Sequence, residues 1–147
     1  MSSEQQVTVE HRRIGKIALD ASEVLHFSGL PGFPAVRDFA LAQHGDGSPF
    51  AWLASLDDLD LAFVVAEPEK LFTEYRPAFG PRELGAVGAA EAGEVLVLAI
   101  ANLTRGEACL NLAAPILVNA KTRRAAQVVL PDSKFAVRAK LGSVSAR

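Results

Sequence analysis

The stretch that decides the fold reads Phe50-Ala51-Trp52-Leu53-Ala54-Ser55, then Leu56-Asp57-Asp58-Leu59-Asp60, then Leu61-Ala62-Phe63-Val64-Val65-Ala66. Two apolar runs of strand length flank a short acidic segment, the pattern of two β-strands joined by a turn. Working outward, the pattern repeats. Upstream, Gln6–Arg12 alternates through Val7 and Val9, Gly15–Asp20 places Ile17 and Leu19 on one face, and Val24–Phe27 runs into Ser28-Gly29-Leu30-Pro31-Gly32-Phe33. Two glycines and a proline make that last stretch a tight turn or bulge. Val36–Gln43 alternates through Phe39 and Leu41, and His44–Pro49 reads as a hairpin loop.

Downstream, Glu69–Phe72 reads as a strand or a short turn, and Pro81-Arg82-Glu83-Leu84 opens a short helix whose length Gly85 and Gly88 limit. Glu94–Asn102 is the clearest strand, and its continuous apolar run predicts burial on both faces. Glu107–Leu112, Ile116–Ala120 and Ala125–Leu130 follow, with Lys121–Arg124 as a hairpin turn. About nine or ten short strands, one short helix and no βαβ spacing predict an all-β domain, a small antiparallel β-barrel or sandwich. Residues 1–147 read as one domain with its core over about 5–140 and an unordered tail at 141–147.

Composition narrows the class. The chain has 147 residues, of which 50% are hydrophobic and 22% charged, a balance that excludes a disordered chain. The formal net charge of −2 speaks against a simple nucleic-acid binder. The charge is unevenly laid out: residues 43–120 carry four basic and eleven acidic groups, net −7, and residues 121–147 carry seven basic and one acidic, net +6. The single cysteine, Cys109, excludes an internal disulfide and reads as a small buried hydrophobe. Met1–Gln6 has neither the basic nor the apolar region of a signal peptide. The longest apolar run, Val95–Ala101, falls far short of a membrane-spanning helix. These features predict a soluble cytoplasmic protein.

Signatures of catalysis are missing: there is no phosphate loop, nucleophile elbow or His-Glu-x-x-His pattern, and His11, His26 and His44 lack metal-ligand spacing. His26 reads as a packed or hydrogen-bonded histidine. Asp57, Asp58 and Asp60 form the tightest carboxylate cluster. Three readings are open for it: a solvated hairpin turn, a docking surface for a basic partner, or a hard-cation site that would make the chain a small metal-binding barrel or enzyme. Lys121, Arg123, Arg124, Lys134, Arg138 and Lys140 make a basic segment, but with Phe135 as its sole aromatic it offers little for base stacking. Trp52, the one tryptophan, is a candidate binding anchor or a core residue, and the Gly29–Phe33 loop, with Phe33 at its end, is a further candidate surface.

Several of these strings occur together in order: Gly29–Phe33, Ser48–Phe63, Val95–Ile100, Asn111–Asn119, and Lys121-Thr122-Arg123 with Gln127–Leu130. From about Ile14 to Leu130 the chain resembles the flagellar assembly factor FliW family. The resemblance implies a β-barrel-like, non-enzymatic cytoplasmic regulator without cofactor, metal or membrane association, monomeric when free. It implies two protein partners, flagellin and the RNA-binding translational repressor CsrA, and no direct contact with nucleic acid. Capture of CsrA by the freed regulator would lift repression of the flagellin message. CsrA presents basic groups to RNA phosphates, so Asp57, Asp58 and Asp60 are the expected contacts to it, with Trp52 and Phe33 as apolar partner-binding candidates.

Overall fold

The computed structural model describes residues 6–28, 36–43, 49–72, 75, 77–104, 107–130 and 139–140. Its strands are β1 (Gln6–His11), β2 (Gly15–Asp20), β3 (Leu25–Phe27), β4 (Asp38–Gln43), β5 (Phe50–Ser55), β6 (Ala62–Ala66), β7 (Val95–Thr104), β8 (Glu107–Leu110), β9 (Ile116–Asn119), β10 (Arg124–Gln127) and β11 (Ala139–Lys140). Two short helices, α1 (Pro68–Leu71) and α2 (Pro81–Gly85), each start on proline, whose fixed φ suits the first helical position.

The 50–66 segment is the antiparallel pair its pattern predicts, with Leu53 opposite Phe63 and Trp52 opposite Val64. On its other edge β5 pairs with β4, so that Leu41 faces Leu53 and Ala42 faces Trp52. The long strand β7 completes the sheet: Val95–Leu98 pair with β9, Val64–Ala66 of β6 pair with Ala99–Ala101, and Ala101–Thr104 form a hairpin with β8. The ring β3-β4-β5-β6-β7-β9-β10 closes through a pairing of β10 with β3, giving a seven-stranded barrel. β8 and β11 extend from β7, and β1–β2 form a separate hairpin.

The all-β barrel matches the expectation, with differences of detail. The closing β10–β3 contact is parallel, Arg124 beside His26 and Ala125 beside Phe27. It joins strands nearly a hundred residues apart without a βαβ crossover, so no local spacing announces it. The 69–72 segment, open between strand and turn, falls in the helix α1 and its cap: Phe72 N–H donates to the Pro68 carbonyl at 2.8 Å. The described strands number eleven rather than nine or ten because the two-residue β11 pairs with β8.

Alternation along the strands sorts the apolar residues. One set fills the barrel: Leu25, Phe27, Phe39, Leu53, Val65, Leu98, Ile116 and Val118. Phe39 is completely buried at its centre, with the Phe27 ring edge-on at 4.9 Å and the Phe63 ring at 6.4 Å. The opposite set faces outward and is covered in three places. The β1–β2 hairpin lays Ile17 over Ala40 and Ala54, Leu71, Phe72 and Tyr75 pack on Ala66 and Ala99, and the segment after α2 sets Val87 against Leu117 and Ala126. Covered outer faces explain the continuous apolar character of β7 and β9, which a water-facing strand would not show. The alanines that dilute strand propensity, Ala40, Ala54, Ala66, Ala99 and Ala126, stand where these covers approach the sheet.

Candidate functional site

The acidic turn is built on Ser55. This serine is fully buried at the end of β5, and its Oγ accepts the N–H groups of Asp57 (3.1 Å) and Asp58 (2.8 Å). The turn closes through Leu61 N–H to the Asp58 carbonyl and Ser55 N–H to the Leu61 carbonyl. Each aspartate then has its own bond. Asp57 Oδ2 accepts the N–H groups of Arg37 and Asp38, both at 2.8 Å, fastening the start of β4. Asp58 Oδ1 accepts Asp60 N–H at 3.1 Å within the turn. Asp60 Oδ2 accepts from Arg12 Nη1 at 2.7 Å. All three aspartates are exposed, so solvent screens the Arg12–Asp60 pair and its net contribution is at most about 1 kcal/mol.

The turn after β1 docks on this segment, which the sequence reading missed. Arg12 N–H donates to the Leu59 carbonyl at 2.9 Å. His11 is buried, its Nε2 lies 2.9 Å from the Leu61 carbonyl, and its Nδ1 accepts Arg13 N–H at 3.1 Å. The carbonyl requires a donor, so Nε2 carries the proton in this arrangement. Contacts at a sequence separation of about fifty residues carry no local signature.

The three carboxylates therefore do not converge. Among the described residues no group of three or more His, Cys, Asp or Glu side chains is placed to hold a metal ion. The metal-site reading of Asp57–Asp60 finds no ligand set there: two of the carboxylates serve backbone N–H groups and the third meets a guanidinium.

The other singled-out residues lie apart. Trp52 is half-buried on the outer face of β5, outside the barrel interior, so the core reading of this residue does not hold. It lines a cleft of about 410 Å³ with Arg13, Ile14, Lys16, Ile17 and Ala42. Phe50 shares that strand face and packs with Tyr75 and Leu110. Phe33, the Gly29–Phe33 loop and the 44–48 loop lie outside the described residues, as do Lys134, Arg138 and the 141–147 tail. His26 is exposed rather than packed, and its Nδ1 sits 3.1 Å from Asp38 Oδ1 across the β3–β4 pair. Cys109 is buried as expected. No helix of the described residues is long and apolar enough to cross a membrane.

Two buried polar residues escaped the sequence reading because each binds backbone far away in the chain. Asn119 donates from Nδ2 to the Val87 carbonyl at 3.0 Å and accepts the N–H groups of Lys121 and Thr122. It thereby shapes the basic β9–β10 turn, where Arg123 adopts φ 65°. Tyr75 donates its hydroxyl to the Leu112 carbonyl at 2.8 Å, and burial pushes its phenol up to about 12.

This barrel and its turns match known proteins along most of the chain. The model of the "FliW protein" family matches residues 8–141, beyond the 14–130 span of the sequence resemblance on both sides. The flagellar assembly factor FliW of Leptospira biflexa serovar Patoc is 30% identical over 136 residues, covering 90% of this chain and 89% of that protein. That of Carboxydothermus hydrogenoformans is 33% identical over 127 residues, covering 84% of this chain and 82% of its own length. A crystal structure of the flagellar assembly factor FliW superposes with a TM-score of 0.83 at 26% identity, covering 92% of this chain and 96% of the other. With the fold and nearly the full length in agreement, the chain belongs to the FliW family of flagellar assembly factors.

Proposed function

We propose that this chain acts in the cytoplasm as a partner switch, monomeric when free. It binds newly made flagellin, and once flagellin is exported it captures CsrA and removes it from the flagellin message. The observation that carries this reading is the exposed acidic turn Asp57–Asp60, set in a segment of net −7, within a chain that matches the family over residues 8–141. A protein that grips RNA phosphates is basic, and an acidic surface speeds encounter with it and repels the RNA it holds. Asp58 and Asp60 are the contacts to test first, since Asp57 has a backbone role at β4. The chain regulates RNA at one remove and does not bind it directly.

The test is a gel shift of flagellin leader RNA with CsrA, run with the chain added and again with flagellin added. The chain alone should give no shift, should abolish the CsrA shift, and should lose that effect when flagellin is present. The double variant Asp58→Asn/Asp60→Asn keeps one side-chain oxygen at each position while removing two charges. It should weaken CsrA binding and flatten its dependence on salt. An unaltered CsrA shift at saturating concentrations of the chain would sink the proposal, and unchanged affinity and salt slope in the double variant would remove the turn from it.

A further inference from the structure

Along the edge of β2 away from β1 runs a cationic, partly apolar trough that the acidic turn does not use, reaching from the outer wall at Trp52 to the barrel mouth, where Leu25 and Val118 line it. β2 pairs with β1 along one edge and with no described strand along the other. Two cavities, of about 390 and 410 Å³, adjoin at Ile17, Ala18 and Ala42, which line both. No residue of β1 lines either cavity, so both open on the edge of β2 away from its partner. Trp52, on the outer wall, lines one cavity, and Leu41 lines the other at the barrel mouth, where it is 39% exposed although Phe39 on the same inward strand face is completely buried. Three cations, Arg13, Lys16 and Arg123, line the trough, and among the described residues none of them forms an ion pair. Among the described residues its one carboxylate, Glu23, accepts Asp20 N–H at 2.9 Å.

We infer that this trough binds an extended acidic segment of a partner polypeptide, which adds as a strand to the edge of β2 that no described strand pairs with. The unpaired N–H and C=O groups of a strand edge offer main-chain bonds to an incoming strand, while side chains at alternate positions find pockets. Apolar side chains of that segment would rest on Trp52 and Leu41, and its carboxylates would meet Arg13, Lys16 and Arg123. The six residues of β2 present roughly 20 Å of edge, enough for about six residues of extended partner. The polarity is opposite to that of the acidic turn, so this surface selects a different partner chemistry. It stands whether or not CsrA binds at Asp57–Asp60. The half-apolar floor favours polypeptide over nucleic acid, which would want stacking faces and a longer basic track.

Trp52 is the only tryptophan, so its emission reports occupancy of the cleft directly. The probe is a tryptophan-free heptapeptide alternating glutamate with leucine, titrated into the full-length chain, with three comparisons: its lysine counterpart, the same acidic peptide N-methylated at alternate residues, and an oligoadenylate RNA. The expected result is a saturable blue shift with the acidic peptide, about tenfold weaker in Arg13→Gln/Lys16→Gln and with the N-methylated peptide, and absent with the lysine peptide and the RNA. Both substituted positions are exposed, and an unchanged melting curve certifies the variant's fold. The inference is overturned by no response to the acidic peptide, by an equal response to the lysine peptide, or by undiminished binding in the variant. It is overturned equally if the N-methylated peptide binds as well, if only the RNA shifts the emission, or if the emission changes only with the chain's own concentration, the mark of a second copy in the cleft.

Discussion

Truncating Asp57 to alanine separates the structural role of the acidic turn from its charge. The substitution deletes two N–H···O bonds of 2.8 Å, from Arg37 and Asp38, that fasten the entry of β4 to the turn after β5. Bonds to a charged acceptor contribute about 1.5–3 kcal/mol when well shielded, but this side chain is exposed and the freed N–H groups can turn to water. A net of about 0.5–1 kcal/mol per bond, or about 1–2 kcal/mol for the pair, follows. For a domain of this size each kcal/mol moves Tm by about 2–4 °C, so Asp57→Ala should melt about 2–8 °C below the parent. Asp57→Asn keeps an acceptor oxygen in the same place and loses only the charge assistance, so it should fall between the two. Thermal unfolding by circular dichroism, backed by urea midpoints, reads the order directly. Asp57→Ala melting within about 1 °C of the parent, or Asp57→Asn falling as far as the alanine, would refute the assignment of these bonds as the fastening of the turn.

The barrel interior should be far less tolerant. Phe39→Ala removes a completely buried ring that contacts Phe27 and Phe63, and should cost about 3–5 kcal/mol, measured as a lower urea midpoint. Asn119→Ala strands the Val87 carbonyl and two turn N–H groups, so a loss of about 1–3 kcal/mol is expected, and Asn119→Asp should not rescue it because the Nδ2 donor is gone. Burial raises the Tyr75 phenol from 10.0 to about 12, so the folded chain holds that proton more tightly than the unfolded one. Its stabilisation is whole below pH 10 and is lost as pH rises toward 12. As Tyr75 is the only tyrosine, its phenolate absorbance should appear well above the ordinary range, and a native midpoint near pH 10 would contradict the buried bond to Leu112.

Much of the site was legible where its chemistry is local. Three aspartates in four positions after an apolar run mark a turn, and the backbone bonds of Ser55 and Asp58 are those of a side chain capping its own neighbours. What the turn touches was not legible. Arg12 and His11 reach it across about fifty residues, and Asp57 reaches back to Arg37 and Asp38. Those contacts decide that the carboxylates are spread over separate bonds instead of gathered around a cation. The β2 trough was invisible for the same reason: Arg13 and Trp52 are remote in the chain and line one cleft only because a hairpin lies over the barrel wall.

The sequence by itself determined the strand grammar, because a side-chain period of two and turn-forming residues are properties of neighbours along the chain. It located β5, β6, β2 and the start of α2 to the residue or nearly so, and its ordered strings identified the family. Only the tertiary structure decided which face of each strand looks inward, since a run such as Val95–Ala101 is apolar on both. Closure through the parallel β10–β3 pair and the outward place of Trp52 were decided there too. Pairing between distant strands is chosen by how whole surfaces bury one another, and that free energy is written in no single segment.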